Sequence, residues 1–150
     1  MANAIEFPTG PTTGNMTLEV PDNWPTPPEG PPNILVASVP CNVNITWEIP
    51  SPHNMSLGGS FQLRAFVESI GPGPEMQLGP TINVPVDPGR TDYDRTITIA
   101  GNTLLGEGEL HAGVEVSGVY KIIAVLQHMN PGPTWISGFA EDSIKMFLNP

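Results

Sequence analysis

The side chains best suited to acid–base chemistry in this sequence are one histidine and three nearby carboxylates, His111 with Glu107, Glu109 and Glu115. Such groups can exchange protons with a substrate when a fold brings them into one cleft. Acidic side chains on a connecting segment more often form a solvated face, and no nucleophile motif such as G-x-S-x-G or Walker A accompanies them. We therefore predict that the chain is not an enzyme. A pocket that gathered His111 or His128 with carboxylates would argue for one.

Metal-binding motifs are also missing from the sequence. None of the three histidines has a His or Cys neighbour at the spacing of metal ligands. Asp87, Asp92 and Asp94 fall in one loop and offer the oxygen atoms that Ca²⁺ prefers, but their spacing differs from that of an EF-hand. Solvated turn acids explain them more simply. We predict no metal and no cofactor, and the sequence leaves open whether the aspartate loop binds calcium.

The thiol chemistry of the chain is limited to Cys41, its one cysteine. A single cysteine excludes an intramolecular disulfide. Cys41 follows Pro40 and precedes a strand-like run, and nothing in the sequence supplies the electropositive setting that a reactive thiolate needs. We predict a buried, inert thiol.

Charge limits the partners of the chain. Fifteen Asp and Glu residues against five Lys and Arg residues give a net charge of −10 at pH 7. Such a surface repels phosphate groups, so we predict that the chain binds no nucleic acid. No apolar stretch reaches the length of a membrane span and the first residues lack a signal-peptide pattern, so we expect no membrane insertion. The compartment stays unknown, with a cytoplasmic protein or a subunit of an assembled particle as the default expectation.

The elements that would position these residues are strands. Apolar and polar residues alternate in Val43–Ile49 and Phe61–Val67, and longer runs follow in Val119–His128 and Ile136–Leu148. Clusters of Pro, Gly and Asn separate the runs, and no window has helical periodicity. About seven such strands predict an all-β, antiparallel sandwich. One face of the run Val119–His128 is predicted to lie between the sheets, and it carries Tyr120, Ile122, Ala124 and Leu126.

One of these runs resembles a known fold superfamily. In immunoglobulin-like sandwiches, a Tyr near the start of the sixth strand forms the tyrosine corner, often with a Gly two residues earlier, and Gly118 and Tyr120 match those positions. The chain departs from antibody-type domains in lacking a cysteine pair, and Val116 stands where many relatives carry an Asp. The resemblance implies an immunoglobulin-like or fibronectin type III-like sandwich for residues 33–150. It implies no activity.

Residues 1–32 differ from the remainder in composition. They contain eight prolines, four acidic residues and no Lys or Arg. The segment Trp24–Pro32 favours polyproline II, which predicts an extended Pro-rich N-terminal arm ahead of the sandwich domain. Within this arm, Met16, Leu18 and Val20 alternate with polar residues and could form an edge strand. The sequence leaves open whether that strand joins its own domain or a neighbouring one.

These features favour a non-enzymatic structural or assembly protein. We expect it to bind protein, above all further copies of itself in a homo-oligomer, filament or particle, through its arm and sheet edges. The alternative is a module that binds a sugar, peptide or protein surface through loop aromatics such as Tyr93 and Trp135. The candidate interaction residues are Met16, Leu18, Val20, Trp24, Tyr93 and Trp135.

Overall fold

The computed structural model describes residues 4–6, 14–24 and 32–150, and within them the chain is almost entirely β-structured. One short helix, α1, spans His53–Ser56, and no helix in the described ranges has the length and apolar character needed to cross a membrane. The strands, numbered in chain order, are β1 (Ala4–Glu6), β2 (Gly14–Glu19), β3 (Ile34–Val36), β4 (Cys41–Glu48), β5 (Ser60–Ser69), β6 (Met76–Pro85), β7 (Asp92–Ile99), β8 (Leu110–His111), β9 (Val114–Glu115), β10 (Val119–Met129), β11 (Pro133–Glu141) and β12 (Lys145–Leu148).

The first layer of the sandwich is built around β5 and β10. These two strands pair antiparallel along their length, from Ser60 opposite Met129 to Ser69 opposite Tyr120. Strand β6 lies on the far side of β5. On the far side of β10, β11 covers its second half and β12 its beginning, and β3 adds to the edge of β12. The two longest strands therefore form the centre of this layer.

The second layer consists of β4 with β2 and β7 on its two sides. Strand β1 joins the layers along one edge because it pairs both with β11 of the first layer and with β2 of the second. The backbone approaches closely at this junction. A Cβ atom placed on Gly138 would lie 3.0 Å from the side chains of both Ile5 and Met16. Glycine at this position lets the three strands converge.

Period-two alternation places one set of side chains between the layers. In β10 every second residue is buried, and the predicted inter-sheet face is confirmed, since none of its four residues is more than 2% exposed. Trp47 of the second layer meets Phe61 of the first edge to face, with ring centroids 5.8 Å apart. Burial of these apolar surfaces between the layers is the main stabilising contribution to the fold.

The expected all-β class is confirmed, with two differences in detail. The sheets are mixed because β3 and β12 pair in parallel, whereas an antiparallel arrangement was expected throughout. The run Ile136–Leu148 is two strands, with a break at residues 142–144. Asp142 accounts for the break, since its carboxylate accepts a hydrogen bond from Val20 N at 2.8 Å and lies 3.1 Å from Lys145 Nζ.

The described part of the N-terminal segment belongs to the sandwich. The predicted strand around Met16, Leu18 and Val20 is confirmed, but it pairs with β4 of the same chain, and all three side chains are buried in the common core. They are therefore not available for contact with a neighbour. The physical reason is that β4 would otherwise have an open edge and the core an open side. The polyproline segment predicted beyond Trp24 lies outside the described residues up to position 31.

Candidate interaction surface

The outer face of the second layer is polar. Thr17 and Thr46 are hydrogen-bonded through their hydroxyl groups across β2 and β4. On the other side of β4, Thr98 Oγ1 donates to Asn42 Oδ1 at 2.9 Å, and the next pair along the two strands repeats this bond. These side chains interact with one another and with solvent. They offer no apolar surface for a partner to cover.

The outer face of the first layer has the opposite character. Phe66 on β5 lies opposite Ile123 on β10, and Val125 on β10 lies opposite Phe139 on β11. All four side chains are half-buried and point away from the core that separates the layers. Together with Arg64, they form what we call the first-layer face. The four apolar side chains form a cluster across three adjacent strands, and Arg64 lies at its border.

Two of the five basic residues of the chain lie on this side of the first layer. Lys121 is paired with Glu141, with Nζ 2.9 Å from Oε2. Arg64 lies directly opposite Val125 on β10, and its Nε atom is buried without a hydrogen-bond partner among the described residues. A buried donor without an acceptor is unfavourable, but this atom is enclosed by the chain itself, so only the remainder of the half-buried guanidinium group is accessible to a partner.

Trp135 extends the first-layer face. It was expected in a loop, but the structure places it within β11, two positions from Ser137 and four from Phe139 on the same side of the strand. The side chain is 85% exposed. Large exposed aromatic side chains of this kind often act as anchors at protein interfaces.

The other predicted aromatic contacts lie elsewhere. Tyr93 is buried and stacks on Trp47 at 5.5 Å between ring centroids, and its hydroxyl group is hydrogen-bonded to the backbone of Asp87. Trp24 is partly buried, and its Nε1 donates to Ile34 O at 2.9 Å. The structure therefore does not bring these two residues together with Trp135 on one surface.

The sequence does not by itself reveal the apolar residues of the first-layer face. Alternation in the run Phe61–Val67 predicts that Phe66 lies on the polar side of its strand, together with Gln62, Arg64 and Glu68. A weak signal was present, because an aromatic residue at a solvent-facing position is unusual. Its significance depends on the register that sets Phe66 beside Ile123, and register is a property of the folded sheet.

The histidines are placed on separate elements. His128 is buried at the end of β10, where Nε2 lies 2.6 Å from Gly58 O and Nδ1 lies 2.8 Å from Thr134 Oγ1. A carbonyl oxygen can only accept, so Nε2 carries the proton of this hydrogen bond. His111 lies exposed on β8. His128 therefore has a structural role in joining the loop before β5 and the beginning of β11 to its strand.

The three aspartates predicted in one loop lie on two elements: Asp87 is in the loop before β7, whereas Asp92 and Asp94 are on β7 itself. Arg90 Nη1 lies 3.4 Å from Asp87 Oδ2, and Arg90 Nε donates to the backbone oxygen of Asp92 at 2.7 Å. In the ranges that the structure describes, no group of three or more His, Cys, Asp or Glu residues is placed to hold a metal ion. An open depression of about 560 Å³ lies beside this loop, lined by Asn15, Thr17, Thr46, Trp47, Glu48, Arg90, Asp92, Tyr93 and Asp94.

Two ionisable groups of the core have raised pKa values. Cys41 is buried, as predicted, and burial raises the pKa of its thiol to about 11. Burial also raises the pKa of Tyr120 to about 12, with a further increase from the charge of Glu109, while the hydrogen bond to Leu105 O acts in the opposite direction. Both groups are protonated at neutral pH, so Cys41 has little thiolate character there.

Comparison of the chain with protein-family models, curated proteins and solved structures finds no match. Function must therefore be inferred from the geometry and chemistry of the chain itself.

Proposed function

We propose that this chain is a non-enzymatic assembly subunit, an immunoglobulin-like sandwich that self-associates through its first-layer face. Phe66, Ile123, Val125 and Phe139 would form the centre of the contact, and Trp135 would lie at its edge. The contact with another copy would not involve Met16, Leu18 and Val20 of the N-terminal segment, because these side chains are already buried within the chain.

The observation that carries this proposal is the contrast between the two outer faces. Both faces belong to strands of the same sandwich, yet one presents hydrogen-bonded Thr and Asn side chains and the other presents a cluster of four half-buried apolar side chains bordered by polar ones. Contiguous apolar surface on a soluble domain commonly marks an interaction site. Removal of such a surface from water favours association.

Strand order and one tyrosine contact support the immunoglobulin-like assignment. One layer has the order β2-β4-β7 and the other has β6-β5-β10-β11, as two packed sheets of this superfamily would have. Tyr120 Oη donates to Leu105 O at 2.7 Å, in the manner of a tyrosine corner. Gly118 has a φ of 75°, and a Cβ atom there would lie 2.5 Å from Glu107 N, so this position favours glycine.

The depression beside the aspartate loop gives weaker support to a ligand-binding module. Its lining is polar and could hydrogen-bond a small ligand. Its two aromatic residues, Trp47 and Tyr93, are buried in the core, however, and offer little ring surface for stacking on a sugar or peptide. The first-layer face instead brings four apolar side chains together at the surface, and we therefore prefer assembly.

The test compares matched substitutions on the two faces. Val125→Glu places a charge on the first-layer face, and Thr98→Glu places the same charge on the second-layer face, in each case on a β-branched residue that faces outward. We expect the wild-type chain to exceed its monomer mass of 16.0 kDa in sedimentation equilibrium as concentration rises. Val125→Glu should return it to the monomer mass, and Thr98→Glu should behave like the wild type.

The proposal fails if the wild-type chain stays at 16.0 kDa at every concentration. It also fails if both substitutions affect association equally. Thermal unfolding of each variant shows whether a loss of association merely reflects a loss of folded protein.

A further inference from the structure

The hairpin formed by β8 and β9 projects from the sandwich. Leu110 pairs with Glu115 and His111 with Val114, and Ala112 and Gly113 form the turn with positive φ values of 52° and 81°. All six residues are exposed, with Leu110 67% and Val114 54% accessible. A two-stranded hairpin that exposes apolar residues on both sides gains little stability from its own contacts. It is well shaped for contact with another surface.

One face of this hairpin combines an apolar and an acidic side chain. Leu110 and Glu115 are directly opposed residues of antiparallel strands, so they lie on the same face with Cα atoms about 4.5–5.5 Å apart. On the first-layer face, Val125 and Arg64 are directly opposed in the same way. Directly opposed pairs of antiparallel strands have similar spacings, so the two pairs can meet face to face, and their chemistry is complementary.

We propose that the occupant of the first-layer face is the hairpin of a second copy of the chain, with Leu110 on Val125 and Glu115 paired with Arg64. This inference rests on the proposed function and names the element that completes it. Contact between the two pairs would cover apolar side chains on both copies. It would also bring a carboxylate to the half-buried guanidinium group of Arg64 and form a charge-assisted pair.

Contact between two different surfaces of the same chain would join the copies head to tail. Each copy would offer one hairpin and one first-layer face, so every bound copy would leave a free hairpin at one end and a free face at the other. Such a head-to-tail contact builds rings when the rotation closes and open filaments when it does not. It predicts masses that rise beyond a dimer with concentration.

The test reverses the proposed charge pair. Glu115→Arg and Arg64→Glu should each raise the dissociation constant for self-association by about tenfold or more, because each places like charges in contact. The double variant, with both substitutions in one chain, should restore association close to the wild-type value. Sedimentation equilibrium on the full chain measures all four proteins.

Two control variants match the change in net charge. Glu19→Arg on β2 and Arg90→Glu in the loop before β7 make the same changes at exposed positions away from both proposed surfaces. We expect neither to alter the dissociation constant more than about threefold, the scale of a distant charge effect. Thermal unfolding of every variant confirms that the sandwich is folded.

The outcomes separate this inference from the proposed function. If Val125→Glu abolishes association while Glu115→Arg behaves like Glu19→Arg, the first-layer face is an interface but the hairpin is not its occupant. If both single variants weaken association and the double variant does not restore it, the pairing of Glu115 with Arg64 is wrong. A wild-type chain that never self-associates overturns both proposals.

Discussion

At the scale of single residues, position along a strand determines which chemistry each side chain can have. Cys41 occupies an inward position at the start of β4 and is buried, so its thiol is protonated at neutral pH. Ile122 and Ile123 are chemically identical neighbours, yet the first is buried in the core and the second is half-exposed on the first-layer face. Ile122 therefore contributes to the stability of the fold, whereas Ile123 is accessible to a partner.

The raised pKa of Cys41 predicts a loss of stability in alkaline solution. Its ordinary value is 9.0 and its value in the fold is about 11. Above pH 9 the unfolded thiol ionises while the native thiol keeps its proton, so the native state binds more protons and the free energy of unfolding falls as pH rises. The loss should be complete near pH 11 and amount to at most about 2–3 kcal/mol.

Denaturant unfolding of the wild type and of Cys41→Ser below pH 9 and near pH 11 measures this contribution. Serine does not ionise in this range, so its variant should lose less stability between the two pH values. Only the difference between the two pH values matters, because the substitution itself changes core packing. Equal losses in both proteins would show that the thiol ionises alike in the folded and unfolded chains.

At the scale of elements, the first two strands complete the sandwich. Strand β1 connects the layers, and β2 contributes Met16 and Leu18 to the core. The composition boundary near residue 32 therefore does not divide the described residues into an arm and a domain. A strand that pairs on both sides and has a buried face is part of the core, whatever the composition of the residues around it.

Deletion of residues 1–32 should abolish cooperative thermal unfolding. The truncated chain would lose the buried side chains Ile5, Met16, Leu18 and Val20. Removing a single large core side chain costs about 2–5 kcal/mol, and a typical domain has only about 5–15 kcal/mol of stability. Circular dichroism during heating, together with limited proteolysis, checks this outcome.

Point variants give a milder form of the same test. Met16→Ser replaces a buried apolar side chain and should lower the melting temperature by several degrees, whereas Leu110→Ser replaces an exposed one and should leave it nearly unchanged. If the truncated chain of residues 33–150 still unfolds cooperatively, β1 and β2 are dispensable for folding and the prediction for the deletion is wrong.

At the scale of the whole molecule, charge and apolar surface are unevenly distributed. Fifteen acidic residues face five basic ones, and two of the five, Arg64 and Lys121, lie on the outer side of the first layer. The second layer presents a polar outer face with acidic residues at several positions of β7 and β4. Glu68 and Glu141 lie on the same side as Arg64 and Lys121, so the outer side of the first layer carries charges of both signs around its apolar cluster.

Removal of divalent cations should leave the whole molecule unchanged. The described residues contain no cluster suited to a metal ion, and Arg90 already contacts Asp87. We therefore expect EDTA to leave the melting temperature as it is. A fall of several degrees that Ca²⁺ reverses would reveal a site at Asp87, Asp92 and Asp94, because a ligand bound by the native state alone stabilises it.

The sequence by itself determined the β class, the inward face of β10 and the buried state of Cys41, because alternation and strand propensity act between near neighbours in the chain. It did not determine where the apolar outward positions meet. Phe66 and Ile123 are 57 positions apart in sequence and become neighbours through the register of β5 and β10.

The tertiary structure also determined which side chains of the N-terminal segment and which aromatic side chains are buried. Met16 and Tyr93 lie in the core because β2 and β7 occupy the two sides of β4, an arrangement that local pattern cannot specify. Trp135 stays exposed because it points outward from β11. Contacts between distant segments set sheet order and register, and these decide which surface a partner can reach.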